Sequence, residues 1–116
     1  MSYQKILRMP FSKVYQLLID KALKKEKSID DVYYLTTWLL GYSKEEIISL
    51  MKSDIDYEFF FKNAPNINPD RNIIKGKICG VDVSTIDDPL IQNIRYLDKM
   101  IDMLAKGKTI NDITKC

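Results

Sequence analysis

The run from Asp87 to Gly107, "DDPLIQNIRYLDKMIDMLAKG", constrains this chain more than any other stretch. Asp87 or Asp88 can cap a helix, and Pro89 fits the first turn, where a missing backbone amide costs nothing. Leu90, Ile94, Leu97, Ile101 and Leu104 then recur in alternating steps of four and three residues until Gly107 closes the run. Such a stripe belongs to a long amphipathic helix whose apolar face other elements must cover.

The remaining sequence supplies those elements through their ends. Ser12 reads as an N-cap, followed at helical spacing by Val14, Leu17, Leu18, Ala22 and Leu23. Lys21, Lys24, Lys25 and Lys27 crowd that helix's C-terminal end, where they complement its dipole. Ser28 starts a second helix, with Asp30 and Asp31 in its first turn and Gly41 as a left-handed stop. Its expected inner face is Val32, Leu35, Trp38 and Leu39. Ser43 and Glu46 form a capping box for a third helix that turns Ile47, Leu50 and Met51 inward. Asp56 caps a short fourth over "YEFFFKNA", closed by Pro65, and Thr109 caps a last turn after the long helix. "PNINPDRN" reads as an ordered loop. "IIKGKICGVDVSTI" is the one place where β-branched residues and glycines displace helix formers, so a short hairpin is expected over 73–78 and 81–83, with Cys79-Gly80 near its turn. The predicted fold is mainly α: a compact bundle of about five helices in one domain over residues 1–116, with a small β-hairpin inserted before the long C-terminal helix.

Composition narrows the chemistry. The 116 residues are 46% hydrophobic and 29% charged with a net charge of +2, which suits a globular core and gives no general pull towards nucleic acid or anionic membrane. No apolar run approaches the roughly 20 residues that span a bilayer, and the N-terminal segment lacks a signal-peptide pattern. With two cysteines, a reduced, cytoplasmic protein is the expectation. The chain has no histidine. That removes the usual neutral-pH base and the commonest metal ligand, and with them Cys/His zinc sites and Ser-His or Cys-His nucleophiles. No catalytic residue, metal or cofactor is expected.

Four motifs have a functional reading beside a structural one. "KGKICGVDV" is not a phosphate loop, because Gly80 leads into a strand-like stretch and not a helix. Cys79 reads as a structural, modestly reactive thiol despite Lys75 and Lys77 nearby, and Cys116 as an exposed one. The two helices either side of Gly41 resemble a helix-turn-helix, yet the second presents Glu45 and Glu46 where a DNA-reading helix needs arginine, lysine or amides. Arg71, on the polar loop, and Arg95, on the long helix, are candidates for an anion-binding groove with Tyr57 or Tyr96 at its rim. The plainer alternative makes them struts, with Arg71 meeting Asp87 or Asp88. Phe59, Phe60 and Phe61 cannot all face one core, so they are candidates for an interface with a partner protein or a second copy.

Taken together, "MPFSKVYQLLIDKA", "TWLLGY", "DYEFFFKNAPNINPDR", "GKICGVDV" and "DPLIQNIRYLDKMIDMLAKGK" resemble a family of small bacterial proteins known as domain of unknown function 2200. The resemblance implies a compact, mostly helical cytoplasmic domain and carries no activity or site residues with it. The leading functional expectation is a non-enzymatic protein-interaction module. Its alternatives are an anion or small-ligand binder using Arg71 and Arg95, and a helix-turn-helix-like nucleic-acid module.

Overall fold

The computed structural model describes residues 3–78 and 80–114. Seven helices occur among them: α1 (Tyr3–Arg8), α2 (Phe11–Lys24), α3 (Ile29–Leu40), α4 (Lys44–Met51), α5 (Tyr57–Lys62), α6 (Pro89–Ala105) and α7 (Ile110–Thr114). Between α5 and α6 lie two short strands, β1 (Lys77–Ile78) and β2 (Val81–Asp82), paired antiparallel with Ile78 opposite Val81. Single 3-10 turns at Arg71–Ile73 and Val83–Thr85 bracket them. The architecture is the expected helical bundle with a hairpin before the long helix. No helix of the described residues is long and apolar enough to cross a membrane.

Most helix starts follow local capping chemistry. The side chains of Ser28, Asp56 and Asp88 each accept a backbone amide of the following turn, and Ser43 with Glu46 completes the capping box. Thr109 and Asp112 cap α7 reciprocally. Asp88 caps α6, and Asp87 stays exposed beside it.

One start departs from expectation. Helix α2 begins at Phe11 after Pro10, and Ser12 makes no cap. A non-local contact sets this boundary: Phe11 N donates to Ile55 O and Tyr57 N to Met9 O, both at 2.9 Å, in an isolated antiparallel bridge. Tying the starts of α2 and α5 together also rotates α2. Its buried face is Phe11, Tyr15, Ile19 and Ala22, whereas Leu17 and Leu23, expected inside, are 59% and 49% exposed. Val14 and Leu18 lie partly buried at the margin.

The bridge aligns an aromatic stack at the centre of the core. Phe60 sits between Phe11 and Tyr42, with ring centroids 4.0 Å and 4.5 Å away and nearly parallel planes. The Tyr42 hydroxyl donates to the Phe60 carbonyl at 2.7 Å, and burial with the nearby Glu46 pushes its pKa up to about 12. Tyr15 lies 2.8 Å from the Thr36 hydroxyl, which itself donates to Val32 O. The Tyr15 hydroxyl is therefore the donor of that buried pair. Along α6, Ile94, Leu97, Met100, Ile101 and Leu104 close the core, while Leu90 is only partly buried. Trp38, expected in the core, is also partly buried at its edge. Cys79, Lys115 and Cys116 lie outside the described residues, and the readings made of both thiols with them.

Gly41 ends α3 at φ +85°, and a Cβ there would lie 2.8 Å from both the backbone N and the Cβ of Asn66. Gly107 has a similar φ of +101° but open space around it. Gly107→Ala should cost roughly the 1–2 kcal/mol of a left-handed L-residue, and Gly41→Ala clearly more, because the loop must also move. Urea denaturation of the two variants tests that order.

Candidate ligand cleft

The loop after α5 does not wander over the surface; it terminates α3. A helix leaves its last four carbonyls without partners, and here all four are met. Gly41 N donates to Thr37 O, the Asn68 side-chain amide to Trp38 O, Asn68 N to Leu39 O and Asn66 N to Leu40 O. Asn68 also organises the next turn of the loop. Its Oδ1 accepts Asp70 N, and its carbonyl accepts both the backbone amide and the Nη1 of Arg71. Arg71 is thus fixed at the start of the 3-10 turn by its own loop.

The hairpin is fixed from the other side, by α6. Gln92 Nε2 donates to Val83 O at 3.0 Å, Lys99 Nζ to Lys77 O at 3.0 Å, and Arg95 Nη2 to Ile78 O at 3.4 Å. Lys99 and Arg95 thus bond carbonyls of β1, and Gln92 bonds that of the 3-10 turn that follows β2. The strands end sooner than the sequence predicts for the same reason: α6, and not a longer ladder, supplies the partners.

Between loop, hairpin and helix opens a cleft of about 590 Å³. Pro69, Arg71 and Asn72 form its loop wall; Lys75, Gly76, Asp82 and Ser84 its hairpin wall; Gln92 and Tyr96, one turn apart on α6, its helix wall. Asp82 accepts both the Ser84 hydroxyl at 2.7 Å and the Ser84 amide at 2.9 Å, bonds that hold its carboxyl below the usual range. Neither Arg71 nor Lys75 forms an ion pair among the described residues. The expected contact of Arg71 with Asp87 or Asp88 is therefore absent there; Asn68 O takes its place.

The predicted site residues divide between two places. Arg71 and Tyr96 meet in the cleft. Arg95 points elsewhere and pairs with Asp98 through Nη1 at 3.2 Å, its side chain only 13% exposed. Tyr57 is buried in the core against Phe11 and Phe61, and its hydroxyl has no hydrogen-bond partner among the described residues. Burial raises its pKa well above the usual value, with the charge of nearby Asp98 adding to the effect. Tyr57 and Arg95 thus lie near one partly buried carboxylate, Asp98, and not at the cleft. Of the three phenylalanines, Phe60 and Phe61 are core and only Phe59 is exposed. Lys75 and Gln92 were missed as cleft residues. Gln92 was signalled by its four-residue spacing from Tyr96; Lys75 carried no signal beyond its charge beside Gly76.

The chain belongs to a family of uncharacterized proteins conserved in bacteria, domain of unknown function 2200, whose model matches residues 5–115. Among solved structures it is similar to the crystal structure of the uncharacterized protein SP1917, at 44% identity and a TM-score of 0.94, over 99% of this chain and 93% of that one. No curated protein matches it.

Asp98 offers a test of this partly buried pair. Burial raises its pKa, and the Arg95 partner and Lys21 only partly offset this. A raised folded pKa means that the neutral acid favours folding. That contribution is complete below the unfolded pKa of about 4 and is lost as pH rises through the folded value. Asp98→Asn, neutral and still able to accept from Arg95, should melt no lower than the native protein at pH 7. The difference between the two should narrow below about pH 4. A variant much less stable than the native protein at neutral pH would show that the Arg95 pair outweighs burial.

Proposed function

We propose that this protein is a non-enzymatic cytoplasmic binding domain whose cleft takes a compact anionic molecule. The observation that carries this reading is a pair of cationic side chains, Arg71 and Lys75, lining one cleft with no carboxylate paired to either among the described residues. A guanidinium has five donors in a planar fork, and Arg71 spends one on Asn68 O. The remaining edge suits a carboxylate or phosphate, which arginine binds in bidentate fashion. Asp82 lines the same cleft and stays ionised. It disfavours a bare polyanion and favours a ligand that carries a hydroxyl or amine beside its acidic group. Gln92 and Tyr96 add polar groups on the helix side. Relative to the sequence reading, Lys75 takes the place of Arg95, which α6 directs to Asp98 and the hairpin.

Exposed Phe59, in a shallow surface between α4 and α5, favours a second reading as a protein-interaction module. The loss of Phe60 and Phe61 to the core leaves that reading with one aromatic of three. For nucleic acid the surface is unfavourable: α4 exposes Glu45 and Glu46, and Lys44 is engaged with Asp30 at 2.9 Å.

A ligand at a hundredfold excess over its Kd stabilises the folded state by about 2.7 kcal/mol. A thermal-shift screen with inorganic phosphate, nucleotides, hydroxy acids and amino acids should therefore find at least one compound that raises the melting temperature. Arg71→Ala and Lys75→Ala should each abolish that rise, whereas Lys108→Ala should keep it. Silence across the screen, or a rise that survives both cleft substitutions, overturns the reading.

A further inference from the structure

Two surfaces outside the cleft complement each other. On α2, Leu17 and Leu23 stand out from the fold, 59% and 49% exposed, in a patch that also contains Lys21, Lys24 and Lys25 with one acid, Asp20. A helix in a bundle ordinarily turns its leucines inward; here Phe11, Tyr15 and Ile19 have taken the inner face. Between α4 and α5 lies a shallow apolar groove of about 480 Å³, lined by Tyr42, Leu50 and the exposed Phe59 together with Glu45 and Glu46. The two surfaces share no residue. One exposes two aliphatic side chains in a basic surround, the other an apolar surface in an acidic one.

We infer that the occupant of the α4–α5 groove is the α2 patch of a second copy of this chain. Both halves of a matched contact are carried on one sequence; Lys21 is engaged with Asp102 and Glu46 with the α4 cap, but the charges beside them are unspent. Lys24, Lys25 and Glu45 form no ion pair within the described residues. Opposite charges round an apolar centre steer the encounter and fix its register, while the buried leucines supply the affinity. The contact joins different surfaces of the two copies. A two-fold arrangement makes it twice and closes a dimer, and a single contact per pair grows a ring or chain. Either raises the mass with concentration and weakens as salt screens the rim.

Sedimentation equilibrium of the full chain, from micromolar to millimolar concentration, tests this directly. At low salt the average mass should rise above the monomer, and about 0.5 M salt should reverse much of that rise. Lys24→Glu and Glu45→Lys should each weaken association by about tenfold or more. Both residues are exposed, so circular dichroism melts should stay near those of the native protein. Mixing the two variants in equal amounts should restore association, because the acidic replacement on one chain then faces the basic replacement on the other. A monomer at every concentration overturns the inference and leaves the groove to a different protein. Association that ignores both reversals, or that the mixture fails to restore, overturns it as well.

Discussion

The C-terminal end of α3 is the point on which the cleft depends. A buried helix end with orphan carbonyls is costly, and here the loop after α5 removes the cost by donating three hydrogen bonds to Trp38, Leu39 and Leu40. The close approach this requires is possible because residue 41 is glycine, which both adopts the left-handed turn and leaves room for Asn66. The loop is consequently part of the helix terminus. Arg71 inherits its position through Asn68, so a cationic side chain on an irregular segment is held almost as a helical residue would be.

Helix α6 performs the matching task for the hairpin. Its apolar stripe closes the core, and another flank sends Arg95 and Lys99 to β1 carbonyls and Gln92 to the turn that follows β2. Two strands of two residues have little stability of their own. They keep their geometry because a rigid helix caps them. The cleft is thus a gap between two well-supported walls: a loop anchored on α3 and a hairpin anchored on α6. This arrangement suits binding of a small molecule without large rearrangement.

Local rules carried the sequence reading a long way and failed where distant contacts decide. Caps at Ser28, Ser43, Asp56 and Asp88 depend on residues at most three apart, and all were legible. Ser12 is an equally good cap by composition, but the bridge between Pro10 and Asp56 starts α2 earlier. That same bridge turns Tyr15 inward and Leu17 outward, which no periodicity count over α2 alone reveals. The site divided for a simpler reason. Arg95 and Tyr96 are successive residues of one helix, about 100° apart in direction, and Arg95 is drawn off the cleft by Asp98 and the Ile78 carbonyl. The Asn66 and Asn68 contacts were beyond reach, since asparagine in a loop signals a turn without saying whose carbonyls it meets.

If the loop carrying Arg71 is structurally the end of α3, the backbone amides of Asn66 and Asn68 must report it. Each donates to an α3 carbonyl, at 3.0 Å and 2.9 Å. Native-state hydrogen exchange followed by NMR should show both amides protected to nearly the same degree as the Gly41 amide, which closes the same helix end. Exchange of Asn66 and Asn68 at the rate of an open chain, with Gly41 still protected, would contradict it: the loop would then be independent of the helix, and the cleft would have no fixed wall.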